Sequence, residues 1–118
     1  MITEDYVSFE IAKLLKENGF DDFTCHSYFY KNGDIEEETR YEGDFGRPTL
    51  QMAAKWLRVV HKIDLCVFPC YYDYCLYGYE CKIYKNKELL CSLGRFKAPE
   101  EAMDAGLLLV LNKDNKII

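Results

Sequence analysis

The stretch CVFPCYYDYCLYGYEC, residues 66 to 81, decides the fold. Its cysteines could form a metal site or a disulfide knot, or they could belong to a buried sheet. It holds four cysteines and five tyrosines in sixteen positions. Zinc knuckles place two cysteines on a tight turn with two residues between them, and no such pair occurs in the chain. Because side chains alternate along a strand, Cys75, Cys81 and the later Cys91 share the apolar side of predicted strands. We therefore predict structural, reduced and metal-free cysteines, with a zinc site and redox chemistry as the alternatives.

The segments around this stretch have the pattern of antiparallel strands. In the central one, the odd-numbered residues from Cys75 to Ile83 are predicted to face inward, and Lys85-Asn86-Lys87 turns the chain after it. Upstream, Asn32-Gly33 favours a tight turn in a predicted hairpin. The predicted strands are 63–70, 75–84 and 88–94, and the hairpin is 23–41.

Three further segments are typical of helices. The first has Thr3 as its expected N-cap, an apolar stripe, and a stop at Asn18-Gly19. The other two each begin near a proline, at Pro48 and Pro99, as the first turn of a helix allows. The predicted helices are 3–18, 48–62 and 99–112. These elements predict one α+β domain, with an antiparallel sheet of three to five strands packed by two or three helices.

Composition and charge limit the class of protein. The chain has 118 residues, 49% of them hydrophobic, which is typical of one globular domain. The acidic start MITEDYVSFE does not resemble a signal peptide, so we expect a cytoplasmic protein with no membrane partner. Residues 1–46 hold four Lys/Arg against twelve Asp/Glu, a net of −8, whereas residues 47–118 hold eleven against eight, a net of +3. Such asymmetry indicates either a partner surface or attraction between two halves of one domain.

No catalytic or nucleotide-binding motif is present, and His26 and His61 are the only histidines. An acidic cluster between Asp34 and Asp44 imitates a metal-dependent hydrolase site, but a solvated hairpin edge explains it as well. We therefore expect a non-enzymatic binding module with no cofactor. Its candidate partner-binding residues are tyrosines of the predicted sheet, although strands favour aromatic residues in any case. They are Tyr72, Tyr74, Tyr77, Tyr79 and Tyr84.

The last helix suggests self-association, because Asp104 is the only charged residue in AMDAGLLLVL, residues 102 to 111. A stripe of small residues would pack on the sheet and leave an apolar face opposite. Exposed, that face would be large enough to mark an interface, so we expect a homodimer unless the 23–41 hairpin covers it. The candidate self-association residues are Met103, Leu107, Val110 and Leu111.

The element order of residues 48–112, helix, strand, strand, strand, helix, resembles that of double-stranded-RNA-binding domains. FKAPEEAMDAGLLLVL occupies the place of their final helix. That resemblance implies lysines at the start of the helix, but here Glu100 and Glu101 would repel phosphates. RNA binding is therefore the alternative function, through a basic hairpin and the second helix. Its candidate contacts are Lys82, Lys85, Lys87, Arg95 and Lys97.

A second resemblance runs along most of the chain. The segments ITEDYVSFEIAKLLKENGF, PTLQMAAKWLRVVHKI and APEEAMDAGLLLVL are similar, in order and spacing, to a family of small uncharacterised proteins. The family occurs in Bacteroides-type gut bacteria and in their phages and prophages. The resemblance implies an intracellular accessory protein of a mobile element and supplies no activity or catalytic residue. The expected partner is therefore a host or phage protein rather than nucleic acid.

Overall fold

The computed structural model describes residues 5–20, 25, 27–36 and 44–118. Contacts group the chain into two compact units, Met1–Ala53 and Ala54–Ile118. Among the described residues there are three α-helices and two antiparallel sheets of three strands each. The predicted α+β class is therefore confirmed.

The helix of the first unit, α1, begins later than predicted. It spans Phe9–Glu17, and Ser8 caps it by accepting a hydrogen bond from the Ile11 N–H at 3.2 Å. Before Ser8 the chain is paired instead, because Tyr6 forms an antiparallel bridge with Thr49. The predicted start at residue 3 is thus wrong, although Thr3 itself lies outside the described residues.

The end of α1 is confirmed as a glycine stop. Gly19 has a φ of +92°, and the Phe20 N–H donates to the Leu15 carbonyl at 2.9 Å. A left-handed residue directly after the helix is what glycine accommodates without strain. Ile11 and Leu15 are fully buried, so the predicted apolar stripe forms the core of this unit.

The predicted hairpin is present where the structure describes it. Strands β1 (Tyr28–Phe29) and β2 (Ile35–Glu36) pair across a turn that contains Asn32-Gly33. The other parts of the predicted segment, residues 23–24, 26 and 37–41, lie outside the described residues. A third strand, β3 (Phe45–Gly46), pairs with the other edge of β1 and was not predicted. Phe9 packs against the ring of Phe45 with centroids 5.6 Å apart, which joins α1 to this small sheet.

The elements after residue 48 follow the prediction closely. Their bounds are α2 Leu50–His61, β4 Ile63–Tyr72, β5 Cys75–Lys85, β6 Glu88–Phe96 and α3 Pro99–Leu111. Helix α2 ends where Lys62 adopts a φ of +59°, and the three strands form a sheet in the order β4, β5, β6. A 3-10 helix, Lys113–Asn115, follows α3.

Helix α3 packs on one face of this sheet and contacts all three strands. Gly106 faces β5 so closely that a Cβ placed on it would lie 2.7 Å from the sulfur of Cys81. Cys81 and Ile83 are fully buried beneath the helix, as their predicted inward position requires. In α2, Leu50, Ala53 and Leu57 are buried, whereas Val60 is 56% exposed, so its apolar stripe is narrower than predicted.

The predicted self-association face of α3 is wrong, because Leu107, Val110 and Leu111 are at most 1% exposed within a single chain. Met103 is half-buried. A helix that is apolar all round is normally an interior helix, and that explanation fits these exposures. The homodimer stays a prediction that has lost the surface on which it was based.

Candidate functional site

Large side chains are exposed together at the end of the β4–β5 hairpin. Asp73 and Tyr74 form its two-residue turn, both with positive φ, as a tight hairpin turn of this length requires. We call this set of residues the hairpin surface. It comprises Tyr71 (67% exposed), Tyr72 (77%), Tyr74 (101%), Leu76 (50%) and Tyr77 (60%).

Arg95 joins the hairpin surface from the neighbouring strand. Tyr79 pairs with Phe96 and Glu80 pairs with Gly94, so Arg95 is the extra residue of a bulge in β6. A bulge turns a side chain away from its regular direction. The guanidinium carbon of Arg95 consequently lies 4.1 Å from the centre of the Tyr77 ring, a stacked cation–π contact.

Two adjoining concavities share Tyr77 and Arg95. One has a volume of about 560 Å³ and is completed by Glu80, Ser92 and Gly94. A Cβ on Gly94 would lie 2.7 Å from the Cγ of Glu80, so glycine makes room for the glutamate beside the strand. The other, of about 340 Å³, lies against Tyr71 and Tyr72 and is completed by Cys70, the residue opposite Gly78.

The electrostatics of this region keep the Cys70 thiol neutral. Removal from water raises the pKa of Cys70 first, and the charge and hydrogen bond of the Glu80 carboxylate raise it further. The positive charges of Arg95 and Lys82 oppose this effect without reversing it. A protonated thiol is a poor nucleophile, so the arrangement suits recognition rather than covalent chemistry.

The structure brings together three of the five predicted partner-binding tyrosines. Tyr72, Tyr74 and Tyr77 belong to the hairpin surface, whereas Tyr79 and Tyr84 are half-buried further along β5. Sequence reasoning missed Leu76, and it assigned Arg95 to nucleic-acid binding. The signal for Leu76 was its place two residues after the hairpin turn, close to the ends of both strands.

The basic residues predicted to contact nucleic acid do not converge. Arg95 and Lys97 lie at the hairpin-surface end of the sheet. Lys85 lies at the other end of β5, five residues or about 17 Å beyond Glu80, which pairs with Gly94, and Lys87 lies in the turn after β5. Lys85 donates to the Ile117 carbonyl, and Lys82 lies 5.2 Å over the Phe68 ring. Lys87 instead lines a separate concavity of about 430 Å³, which we call the basic concavity. Its other residues are Arg58, Lys62, Asp64 and Asn86.

The cysteines do not all occupy the buried positions predicted for them. Cys25 and Cys81 are buried and Cys91 is half-buried, but Cys66 and Cys75 are exposed. Burial raises the pKa of Cys81 to about 11, because the charged thiolate is disfavoured away from water. The predicted inward position of Cys75 is wrong, since it pairs with Tyr72 next to the hairpin turn.

The acidic cluster gives no metal site in the part of the chain that the structure describes. Within those residues no three His, Cys, Asp or Glu side chains come together to hold a metal ion. Asp34 is exposed in the turn, but Asp44 is buried and its carbonyl accepts a hydrogen bond from the Lys16 ammonium at 3.0 Å. The solvated-edge interpretation therefore fails for Asp44. The predicted acids from 37 to 42 lie outside the described residues.

Comparisons of the chain with protein-family models, curated proteins and solved structures give no match. Both resemblances found in the sequence therefore stay predictions. In the described part of the chain, no helix has the length and apolar character needed to cross a membrane. The function has to be argued from the hairpin surface itself.

Proposed function

We propose that this chain is a non-enzymatic protein-interaction module that binds a host or phage protein in the cytoplasm through the hairpin surface. The observation that carries the proposal is the exposure of four tyrosines and one leucine, each at least half exposed, on one hairpin. Tyrosine and arginine are enriched among the residues that dominate binding energy at interfaces. Arg95 stacked on Tyr77 adds the arginine to this set.

The size of the surface supports a specific interface. A fully exposed tyrosine contributes roughly 200 Å², so Tyr71, Tyr72, Tyr74 and Tyr77 together expose on the order of 600 Å². Patches of about this size on a monomer often mark binding sites. Burying even half of it would contribute about 8 kcal/mol before the losses of association are subtracted. A free energy of this size is enough for these four tyrosines to form the centre of an interface.

The charges around the surface favour an acidic partner. Arg95 and Lys97 are exposed beside it, and Lys82 lies over Phe68 on the neighbouring part of the sheet. Against these stand Asp73 in the turn, Glu80, whose carboxylate is engaged with the Cys70 thiol, and Glu101, whose carboxylate accepts a hydrogen bond from the Lys97 N–H at 3.3 Å. An apolar surface that includes the exposed guanidinium of Arg95 is complementary to a partner with apolar and acidic side chains.

The test is recovery of partners from host or phage-infected lysate, followed by titration with the purified partner. We expect the double variant Tyr72→Ser/Tyr74→Ser to lose at least about 30-fold in affinity, because these anchors typically contribute 1 to 2 kcal/mol each. The matched control is Tyr30→Ser, which replaces a 40% exposed tyrosine in the first unit. This variant should bind the partner with the affinity of the wild type. Equal recovery with the wild type and the double variant would contradict the proposal.

A second candidate function is nucleic-acid binding at the basic concavity. It unites helix α2 with the β5–β6 turn, as the sequence-based alternative expected, through Arg58, Lys62 and Lys87. Asp64 in the same concavity opposes it. A mobility shift with duplex RNA at low salt that disappears in Arg58→Gln/Lys62→Gln would support this candidate. The absence of any salt-dependent shift would contradict it.

A further inference from the structure

We propose that the 340 Å³ concavity beside Tyr71, Tyr72 and Tyr77 binds an acidic side chain of an extended peptide, whose carboxylate pairs with the guanidinium of Arg95. The inference rests on the proposed function and specifies the chemistry of the partner. An apolar residue next to the acid would pack on the exposed tyrosine rings. Three features of the concavity carry the inference: a guanidinium available for pairing, a lining made of tyrosines and a neutral thiol, and the position of Glu80, which imposes direction.

Arg95 is prepared to bind a carboxylate. One face of its guanidinium is fixed by the stack on Tyr77, which leaves the N–H groups at its edge available. In the part of the chain that the structure describes, no hydrogen bond or ion pair to this guanidinium is present. A planar group held in place and lacking an acceptor is suited to a bidentate pair with a carboxylate.

The lining of the concavity makes this pair favourable. Arg95 is its only charged residue, because Cys70 is a neutral thiol whose pKa is raised and the remaining three are tyrosines. Aromatic walls lower the local dielectric constant, which strengthens attraction between opposite charges. A bound carboxylate would therefore meet the positive charge of Arg95 on the tyrosine side of the concavity, away from the Glu80 carboxylate at its Cys70 edge.

The neighbouring concavity gives the bound peptide a direction. Glu80 lines the 560 Å³ concavity, which shares Tyr77 and Arg95 with the smaller one, and its carboxylate contacts the Cys70 thiol. Like charges repel, so a carboxylate is expected on the tyrosine side of Arg95 and a neutral or basic group on the Glu80 side. Removing the negative charge of Glu80 should consequently tighten the binding of an acid, whereas removing the charge of Arg95 should weaken it.

An acidic peptide fits this end of the sheet better than nucleic acid does. A phosphate backbone presents regularly spaced charges and is gripped by several cations along its path. Here Arg95 and Lys97 are accompanied by Glu80 and Asp73, and the basic concavity lies at the opposite end of the sheet. One cation surrounded by tyrosines matches a single carboxylate beside an apolar side chain.

The experiment is a titration of the ¹⁵N-labelled full chain followed by NMR. The probe is a hexapeptide acetylated at its N-terminus and amidated at its C-terminus, Phe-Pro-Asp-Phe-Pro-Asp, with its asparagine analogue and a uridine octanucleotide as comparisons. We expect the acidic peptide to shift the amide resonances of residues 70–77 and Arg95, with the asparagine analogue at least about tenfold weaker, as loss of a charge-assisted pair implies. A uridine octanucleotide that binds more tightly than the acidic peptide would overturn the inference.

Four variants test the roles of the charges. Arg95→Gln should weaken the acidic peptide about 10- to 100-fold, and Arg95→Lys should weaken it less because the charge remains without the planar fork. Glu80→Gln should tighten it about two- to fivefold, since a like charge is removed. The matched control is Lys113→Gln, which removes an exposed cation from the C-terminal 3-10 helix. It should leave the affinity for the acidic peptide unchanged. All variants should keep the wild-type melting temperature, which separates binding effects from folding effects.

Two results separate this inference from the proposed function. If Tyr72→Ser/Tyr74→Ser abolishes capture of a partner protein while Arg95→Gln keeps full affinity for that partner and for the hexapeptide, the carboxylate inference is wrong and the interaction module stands. If the acidic peptide binds, and its affinity falls in Arg95→Gln, falls less in Arg95→Lys and is unchanged in Lys113→Gln, the inference holds even before the partner is identified. Equal affinity for the acidic peptide and its asparagine analogue overturns it.

Discussion

Gly106→Ala is expected to destabilise the chain, although alanine is the better helix former. A Cβ at this position would lie 2.7 Å from the Cys81 sulfur, about 1 Å inside an ordinary contact, while the Leu65 methyl groups at 3.6 Å are unaffected. Overpacking of this kind costs about 1 to 3 kcal/mol, and the gain in helix propensity returns about 1 kcal/mol. The expected net loss in the free energy of unfolding is about 1 kcal/mol.

The sign of the effect should reverse when the sulfur is removed. In a Cys81→Ala background the space beside position 106 is open, so Gly106→Ala should stabilise by about 1 kcal/mol. Urea denaturation of the four proteins of this cycle, under reducing conditions, measures the coupling, expected at about 1 to 3 kcal/mol. Gly19→Ala is the control: nothing lies within 4 Å of its Cβ, so it should show no coupling to Cys81→Ala. Stabilisation by Gly106→Ala in the wild-type background would refute the close packing of α3 on β5.

Three further predictions concern other positions. Ser8→Ala removes the hydroxyl that accepts a hydrogen bond from the Ile11 N–H, and it should lower the free energy of unfolding by about 1 kcal/mol. Urea denaturation measures this, and an unchanged unfolding midpoint would argue against the cap. Gly33→Ala should cost more than about 1 kcal/mol by the same measurement, because φ is +96° and the new Cβ would lie 3.0 Å from the Phe9 ring. The folded-state pKa of Cys81, raised from 9.0 to about 11, means that the folded chain holds this proton more tightly than the unfolded chain. Stability should therefore be complete below about pH 9 and fall between about pH 9 and 11, a fall that Cys81→Ala should reduce. In alkylation followed by mass spectrometry, Cys66 and Cys75 should react well before Cys81, and equal rates would contradict its burial.

The elements from residue 48 onward could be predicted because each carries a strong local signal. All five observed ranges agree with the predicted bounds to within two residues. Apolar residues at helical or alternating spacing, with prolines at the helix starts, are properties of the local sequence and need no knowledge of distant contacts. The Asn32-Gly33 turn could be predicted for the same reason. The left-handed backbone conformation that such a turn needs is a property of its own residues.

The start of α1 could not be predicted in this way, because two residues compete as caps. Thr3 and Ser8 are both good N-cap residues, so the local sequence permits either start. The choice is made by pairing with a segment 40 residues away: Tyr6 bridges to Thr49, and the Val7 N–H donates to the Pro48 carbonyl at 3.0 Å. Strand β3 was missed for the same reason, since a two-residue strand is defined by its partner alone.

The wrong inward assignment of Cys75 and the formation of the candidate site have the same physical cause, which is irregular strand pairing. Strict alternation assumes a regular pleat, and it held for Cys81 and Ile83, where pairing with β4 is continuous. The register shifts between Cys70 and Tyr71, so Cys75 and Tyr77 lie beyond the point to which the alternation extends. A second shift, beside Tyr79, releases Arg95 from the regular pattern of β6. Bulges depend on how two strands pair, which no single segment encodes. The alternation of inward and outward side chains therefore fails where Tyr77 and Arg95 meet. Functional sites are where a structure is expected to depart from such local rules.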